Sequence, residues 1–155
     1  MQNTIHIKPH HFVDIITKLG AGTVPSEPHP YGHAVHTAAA MLLGDPETLL
    51  VMDLGADFIC APCIHNIDGL CDDTIDTSYR PEAPPSKREW NLLIDHRWCN
   101  RLGIKEGSRL TARRLSEIIR DRMGDITDIY REIPAAKTAE RALKLRKGIE
   151  KYLQK

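Results

Sequence analysis

The sequence predicts a mostly helical α+β fold, with about five helices, a small two-stranded sheet and an irregular cysteine-bearing metal loop. Three observations predict it. Apolar residues recur at spacings of three and four in several segments, two short apolar runs have strand character, and a polar, proline-bearing stretch ending near Pro85 holds Cys60, Cys63 and Cys71. The 155 residues suit a single domain, 1–155, long enough to bury a hydrophobic core without help from a metal.

Taken in order, Thr4 to Lys8 alternates in polarity and ends at Pro9, as a short strand does. A helix follows on the stripe Phe12, Val13, Ile15, Ile16 and Leu19, with Gly20 as its expected stop. The three prolines between Ala21 and Pro30 predict a loop, and a second helix is expected from about Tyr31 to Leu43, carrying Ala34, Val35, Ala38, Met41 and Leu42 and ended by Gly44. Thr48 to Met52 is apolar enough for a buried strand. Ser86 and Glu89 form a capping signature before a helix with Trp90, Leu93, Ile94 and Trp98 on one side and Cys99 near its end. Two further helices carry Leu115, Ile118, Ile119 and Met123, and then Ala142, Leu145, Ile149 and Leu153, the latter opened by Pro134.

Composition narrows the function. Lys plus Arg equals Asp plus Glu at 21 each, so no charge excess draws the chain to nucleic acid or to an acidic membrane. The basic last helix also carries acids around an apolar stripe, the pattern of a solvated face. The first residues lack the apolar stretch of a signal peptide, and no run approaches the roughly 20 apolar residues of a membrane span. A cytoplasmic protein that binds neither nucleic acid nor membrane is expected. In that reducing compartment, clustered cysteines serve as ligands or redox catalysts rather than as disulfides. No Gly-rich phosphate loop is present.

The motif Cys60-Ala-Pro-Cys63 lets two thiolates converge on a metal, and Pro62 stiffens the turn. Asn66, Asp68 and Gly69 can bend the chain back so that Cys71 becomes a third ligand, and Cys99 is the one cysteine left as a fourth. Three readings are open: an iron-sulfur cluster of the 4Fe-4S type, a zinc site, or a thioredoxin-like Cys-x-x-Cys dithiol. Zinc ordinarily shows a second paired motif, absent here, although His65 and His96 could complete a mixed site. The dithiol would leave Cys71 without a role.

The segments Pro9-His10-His11-Phe-Val-Asp14 and Asp57-Phe-Ile59-Cys60-Ala-Pro-Cys63, with the later Cys71, resemble a known family. It is the bacterial and archaeal iron-sulfur family catalogued as domain of unknown function twelve eighty-four. That family carries Arg-Pro-His-His-Leu-Leu-Cys, then Asp-x-Ile-Cys-x-x-Cys and a further Cys. The likeness extends through Asp95 and Leu102-Gly103-Ile104 with Gly107, over most of the first two thirds of the chain. It implies a prokaryotic iron-sulfur protein and no established reaction. One position departs from the pattern: Asp14 stands where the family has its cysteine. Either Cys99 replaces that thiolate, or Asp14 binds iron through oxygen, or one iron lacks a protein ligand and can meet substrate.

His10 and His11 have two readings, as helix-start residues bonded to backbone, or as catalytic proton donors and partners beside the cluster. With His29, His33 and His36 they place five histidines within 27 residues. His33 and His36 share a helix face, where exposure is the simpler expectation and a second metal would need another ligand. The function classes are then an electron-carrying module that meets a redox partner protein, an enzyme whose open iron polarises a small-molecule substrate while His10 or His11 moves the proton, and a zinc-stabilised interaction domain. The extra helices and histidines favour a catalytic or sensing role.

Overall fold

The computed structural model describes residues 2–155, in which strands β1 (Thr4–Ile7), β2 (Leu49–Met52), β3 (Asn66–Ile67), β4 (Leu70–Cys71) and β5 (Arg109–Thr111) accompany helices α1 (Pro9–Ala21), α2 (Val35–Gly44), α3 (Lys87–Leu102), α4 (Ala112–Arg122) and α5 (Ala135–Leu153). The fold is α+β and mostly helical, as the periodicities require. In β1, Ile5 and Ile7 point into the core while Thr4 and His6 face out, the two-residue period of a half-buried strand. β2 lies beside it in parallel, Thr4 pairing with Leu49 and Ile7 with Met52, so α1 and α2 form the crossover that parallel strands need. β2 is central because β5 pairs with its other edge, antiparallel, with Leu49 opposite Thr111. This third strand, Arg-Leu-Thr, is too short and too polar to be read from the sequence.

Helix α1 begins with Pro9 in its first turn and buries Phe12, Val13, Ile15 and Ile16. It runs past Gly20 and stops at Gly22, whose φ of 74° supplies the left-handed cap. Gly20 has a different purpose. A Cβ there would come 1.8 Å from the Lys144 carbonyl oxygen, and a Cβ on Gly148 would come 1.9 Å from that of Ile16. The two glycines let α1 and α5 cross backbone against backbone.

Helix α2 starts at Val35, after a turn at Gly32 with φ 76°, and buries Ala38, Ala39 and Leu42. In α3 the Ser86 hydroxyl accepts the Glu89 N–H at 3.2 Å, the expected cap. Trp90, Ile94, Trp98 and Leu102 are buried along it, and the Trp98 Nε1–H donates to the Tyr130 hydroxyl at 2.9 Å. The Thr111 hydroxyl caps α4 by accepting the Arg114 N–H at 3.1 Å. Pro134 sits just outside α5 as its N-cap rather than inside the first turn.

The cysteine loop holds one regular piece. β3 and β4 form a hairpin across Asp68 and Gly69, with φ of 51° and 86°, the doubly left-handed turn that Asp-Gly favours. Among the described residues, no helix is long and apolar enough to cross a membrane.

Candidate metal and proton-transfer site

Strand β1 ends at Ile7, Lys8 caps α1, and the first turn of that helix then presents His10 and His11. Neighbours on a helix point about 100° apart, so the two rings meet different partners. Toward α3, His10 Nδ1 lies 2.9 Å from both carboxylate oxygens of the fully buried Asp95, and the His10 backbone N–H donates to Asp95 Oδ1 at 2.8 Å. Toward the loop, His11 Nδ1 lies 2.8 Å from Asp57 Oδ2. Asp57 is fully engaged, since it also accepts the Lys8 N–H at 2.7 Å and the Cys60 N–H at 3.0 Å. With both Nδ1 atoms committed, Nε2 is the free nitrogen of each ring. The ring centroids are 4.3 Å apart.

These two histidines are driven in opposite directions. Burial pulls the His10 imidazole down, but the charge and hydrogen bond of Asp95 outweigh it, and its pKa lies above the ordinary 6.5. For His11, burial and then the neighbouring His10 charge outweigh Asp57, and its pKa lies below 6.5. Burial alone would raise the Asp57 carboxyl, yet His11 and the two backbone N–H groups hold it well below the usual carboxylate range. Two adjacent histidines whose proton affinities are shifted in opposite directions, each oriented by a carboxylate, form the arrangement of an acid and a base in one site.

The histidines open onto a cavity of about 560 Å³, and Cys60, Cys63 and Cys71 line it with them. A smaller cavity of about 100 Å³ lies on the far side of the cysteines, and Lys8 and the three cysteines border both. Cys60 and Cys63 are joined by a tight turn, the Cys63 N–H donating to the Cys60 carbonyl at 2.9 Å, and β4 holds Cys71 opposite Asn66. Burial, then Asp57, pushes the Cys60 thiol up to about 11. His11, Asp57 and Cys60 each offer one ligand atom, all within 4.8 Å of one another, and can hold a metal ion; they are the one such group among the described residues.

The remaining candidates are placed differently. Cys99 is buried, and burial with Asp95 and Glu106 pushes its thiol up to about 11, but it lines neither cavity. It lies five residues along α3 from Ile94, which does border the larger one, a rise of about 8 Å. Asp14 borders the larger cavity one turn beyond His11, where its carboxylate is bound by Arg141 at 3.0 Å. His29 and His33 stack at 4.1 Å on the cavity wall, and burial, then the charges of His29 and His11, pull His33 down to about 4. His36 is not on that wall. His65 is tied to Asp72 at 2.8 Å, and His96 is exposed on α3 while Cys99 is buried.

No family model, curated protein or solved structure matches this chain. The chemistry is therefore argued from the site itself. Sequence reasoning noted Asp57 and Asp95 but gave them no role. Asp57 carried a usable signal, because an Asp three residues before Cys60 can accept that residue's N–H. Asp95 carried none, since 85 residues separate it from His10.

Proposed function

We propose that this protein binds an iron-sulfur cluster, of the 4Fe-4S type, through Cys60, Cys63 and Cys71, and leaves one iron open to a cavity where His10 and His11 move protons on a small-molecule substrate. The observation that carries the proposal is the shared wall: three thiols and both histidines, each backed by a carboxylate, border one cavity that Cys99 does not line. The donor set fits. Thiolates are the usual cluster ligands, and each binds a different iron, so they are spaced more widely than around one ion. A tetrahedral zinc with Zn–S near 2.3 Å would draw three sulfurs to about 3.8 Å from one another. Cys60, Cys63 and Cys71 form no group that close among the described residues.

When bound, the cluster would supply a Lewis-acidic iron. His10, whose proton affinity Asp95 raises, would give a proton from Nε2, and His11, whose affinity is lowered, would accept one at Nε2 while Asp57 fixes its ring. The reading agrees with the resemblance to the iron-sulfur family drawn from these same residues, and four free thiols suit a reducing cytoplasm.

A second reading rests on His11, Asp57 and Cys60 as ligands of a single divalent ion such as zinc. It is supported less, because Asp57 already accepts three hydrogen bonds and so acts as the orienting partner of a ligand. The redox dithiol is supported least, since the Cys-x-x-Cys turn does not open a helix and lacks the dipole that activates such thiols. The test is anaerobic reconstitution with iron and sulfide, followed by iron and acid-labile sulfide analysis and electron paramagnetic resonance of the reduced protein. Cys60→Ser should lose the cluster signal and Cys99→Ala should keep it. Zinc bound without sulfide would overturn the proposal.

A further inference from the structure

The cavity wall carries more positive charge than the site chemistry uses. Lys87 is matched by Asp73 at 3.2 Å and Arg141 by Asp14 at 3.0 Å. Lys8 is not matched. It is only 5 % exposed and borders both cavities, yet among the described residues its ammonium joins no ion pair, and only its backbone N–H is hydrogen-bonded to a side chain. The ammonium is not among the sealed polar atoms, so it keeps access to the cavities with no counter-charge of its own and is open to an anion. Arg80, which also lines the larger cavity, likewise has no carboxylate within ion-pair distance; its guanidinium lies 5.1 Å over Trp90 and donates only to the Asp76 carbonyl. The same cavity also has apolar lining from Val35, Ile59, Trp90 and Ile94.

We propose that the cavity binds a small organic carboxylate with an apolar body, its carboxylate on Lys8 with help from Arg80 and its body against Ile59, Ile94 and Trp90. This deepens the function proposed above by naming the substrate class. A volume of about 560 Å³ suits such a ligand, and a bare inorganic anion would leave the apolar wall unused. Lys8 at the foot of α1 would hold the carboxylate beside the free Nε2 atoms of His10 and His11, within reach of proton transfer.

The experiment is a nuclear magnetic resonance titration with benzoate, benzyl alcohol and inorganic phosphate, following the Ile59 and Ile94 methyl groups and the histidine rings. Iron and sulfide are assayed in the same sample. Benzoate should bind at least tenfold more tightly than benzyl alcohol, Lys8→Met should abolish that preference, and Lys8→Arg should keep most of it. Arg80→Gln should weaken benzoate severalfold, which tests the inference even if Lys8→Met fails to fold. Equal affinity for benzoate and benzyl alcohol would overturn it, as would unchanged benzoate binding in Lys8→Met or Arg80→Gln, the result expected if Lys8 only offsets thiolate charge. Phosphate binding more tightly than benzoate would overturn it too. Lys8-dependent benzoate binding in a sample without sulfide would sustain this inference while removing the cluster, so the two failures are distinct.

Discussion

The two ends of α1 are held in unlike ways. At Gly20 the helix meets α5 backbone to backbone, and the contact depends on side chains being absent. At His10 and His11 it is held by two carboxylates from distant parts of the chain, and nothing there works without side chains. The first contact leaves no room for adjustment, which is what a site built on two adjacent rings needs. A shift of α1 would pull the two rings away from Asp95 and Asp57 and reduce the difference in their proton affinity. The cysteine loop makes a second contrast. Trp98, Tyr130 and Phe12 are buried, whereas Ile64, Ile67 and Leu70 beside the cysteines are more than half exposed. The loop is shaped by its Asp-Gly turn and by the thiols it presents, not by burial.

The sharpest way to break this contrast is to add a methyl group at the crossing. Gly20→Ala or Gly148→Ala forces backbone apart and should cost about 3 kcal/mol, as overpacking of a tight core does; thermal unfolding measures it, and an unchanged midpoint would deny the contact. Next is Tyr130→Phe, which strands the buried Trp98 N–H and should cost about 2 kcal/mol by chemical denaturation. A transition superimposable on wild type would mean the bond contributes nothing.

Asp95→Asn tests the polar end. Because the folded His10 pKa lies above 6.5, the pair's stabilisation is complete below pH 6.5 and fades as pH rises through the folded value. The variant leaves only the Asp14 charge to oppose burial, so the His10 pKa should fall and this loss of stability with rising pH should weaken, as histidine resonances and unfolding at several pH values will show. A His10 pKa unchanged from wild type would assign the shift elsewhere. The smallest effect is expected in the loop, where Ile67→Thr should change stability by no more than about 0.5 kcal/mol. A larger loss in denaturation would mean that burial does shape the loop.

Local signals in the sequence were legible where local physics decides. The stripes of α1, α3 and α5, the Ser86 cap and the strands β1 and β2 follow from spacing and hydrogen-bond chemistry within a few residues. Gly20 misled because a glycine that ends a helix and one that admits another helix look the same until the partner is known, and Gly148 is that partner. Strand β5 exists because β2 has a free edge, which Arg-Leu-Thr does not announce. The cysteines and the histidines were recognisable as chemistry. Their orientation was not, since Asp57 and Asp95 reach them only through the fold, and Lys8 gained its meaning from the cavities it borders.

The central claim is that Cys60, Cys63 and Cys71, without Cys99, hold a cluster at the histidine-lined cavity. Acid-labile sulfide per chain, determined after anaerobic reconstitution of wild type, Cys60→Ser, Cys63→Ser, Cys71→Ser and Cys99→Ala, tests it most directly. The account predicts about four sulfides in wild type and Cys99→Ala, the content of a 4Fe-4S cluster, and a loss of most sulfide in the other three. Sulfide absent from wild type, or lost in Cys99→Ala as fully as in Cys60→Ser, would contradict it.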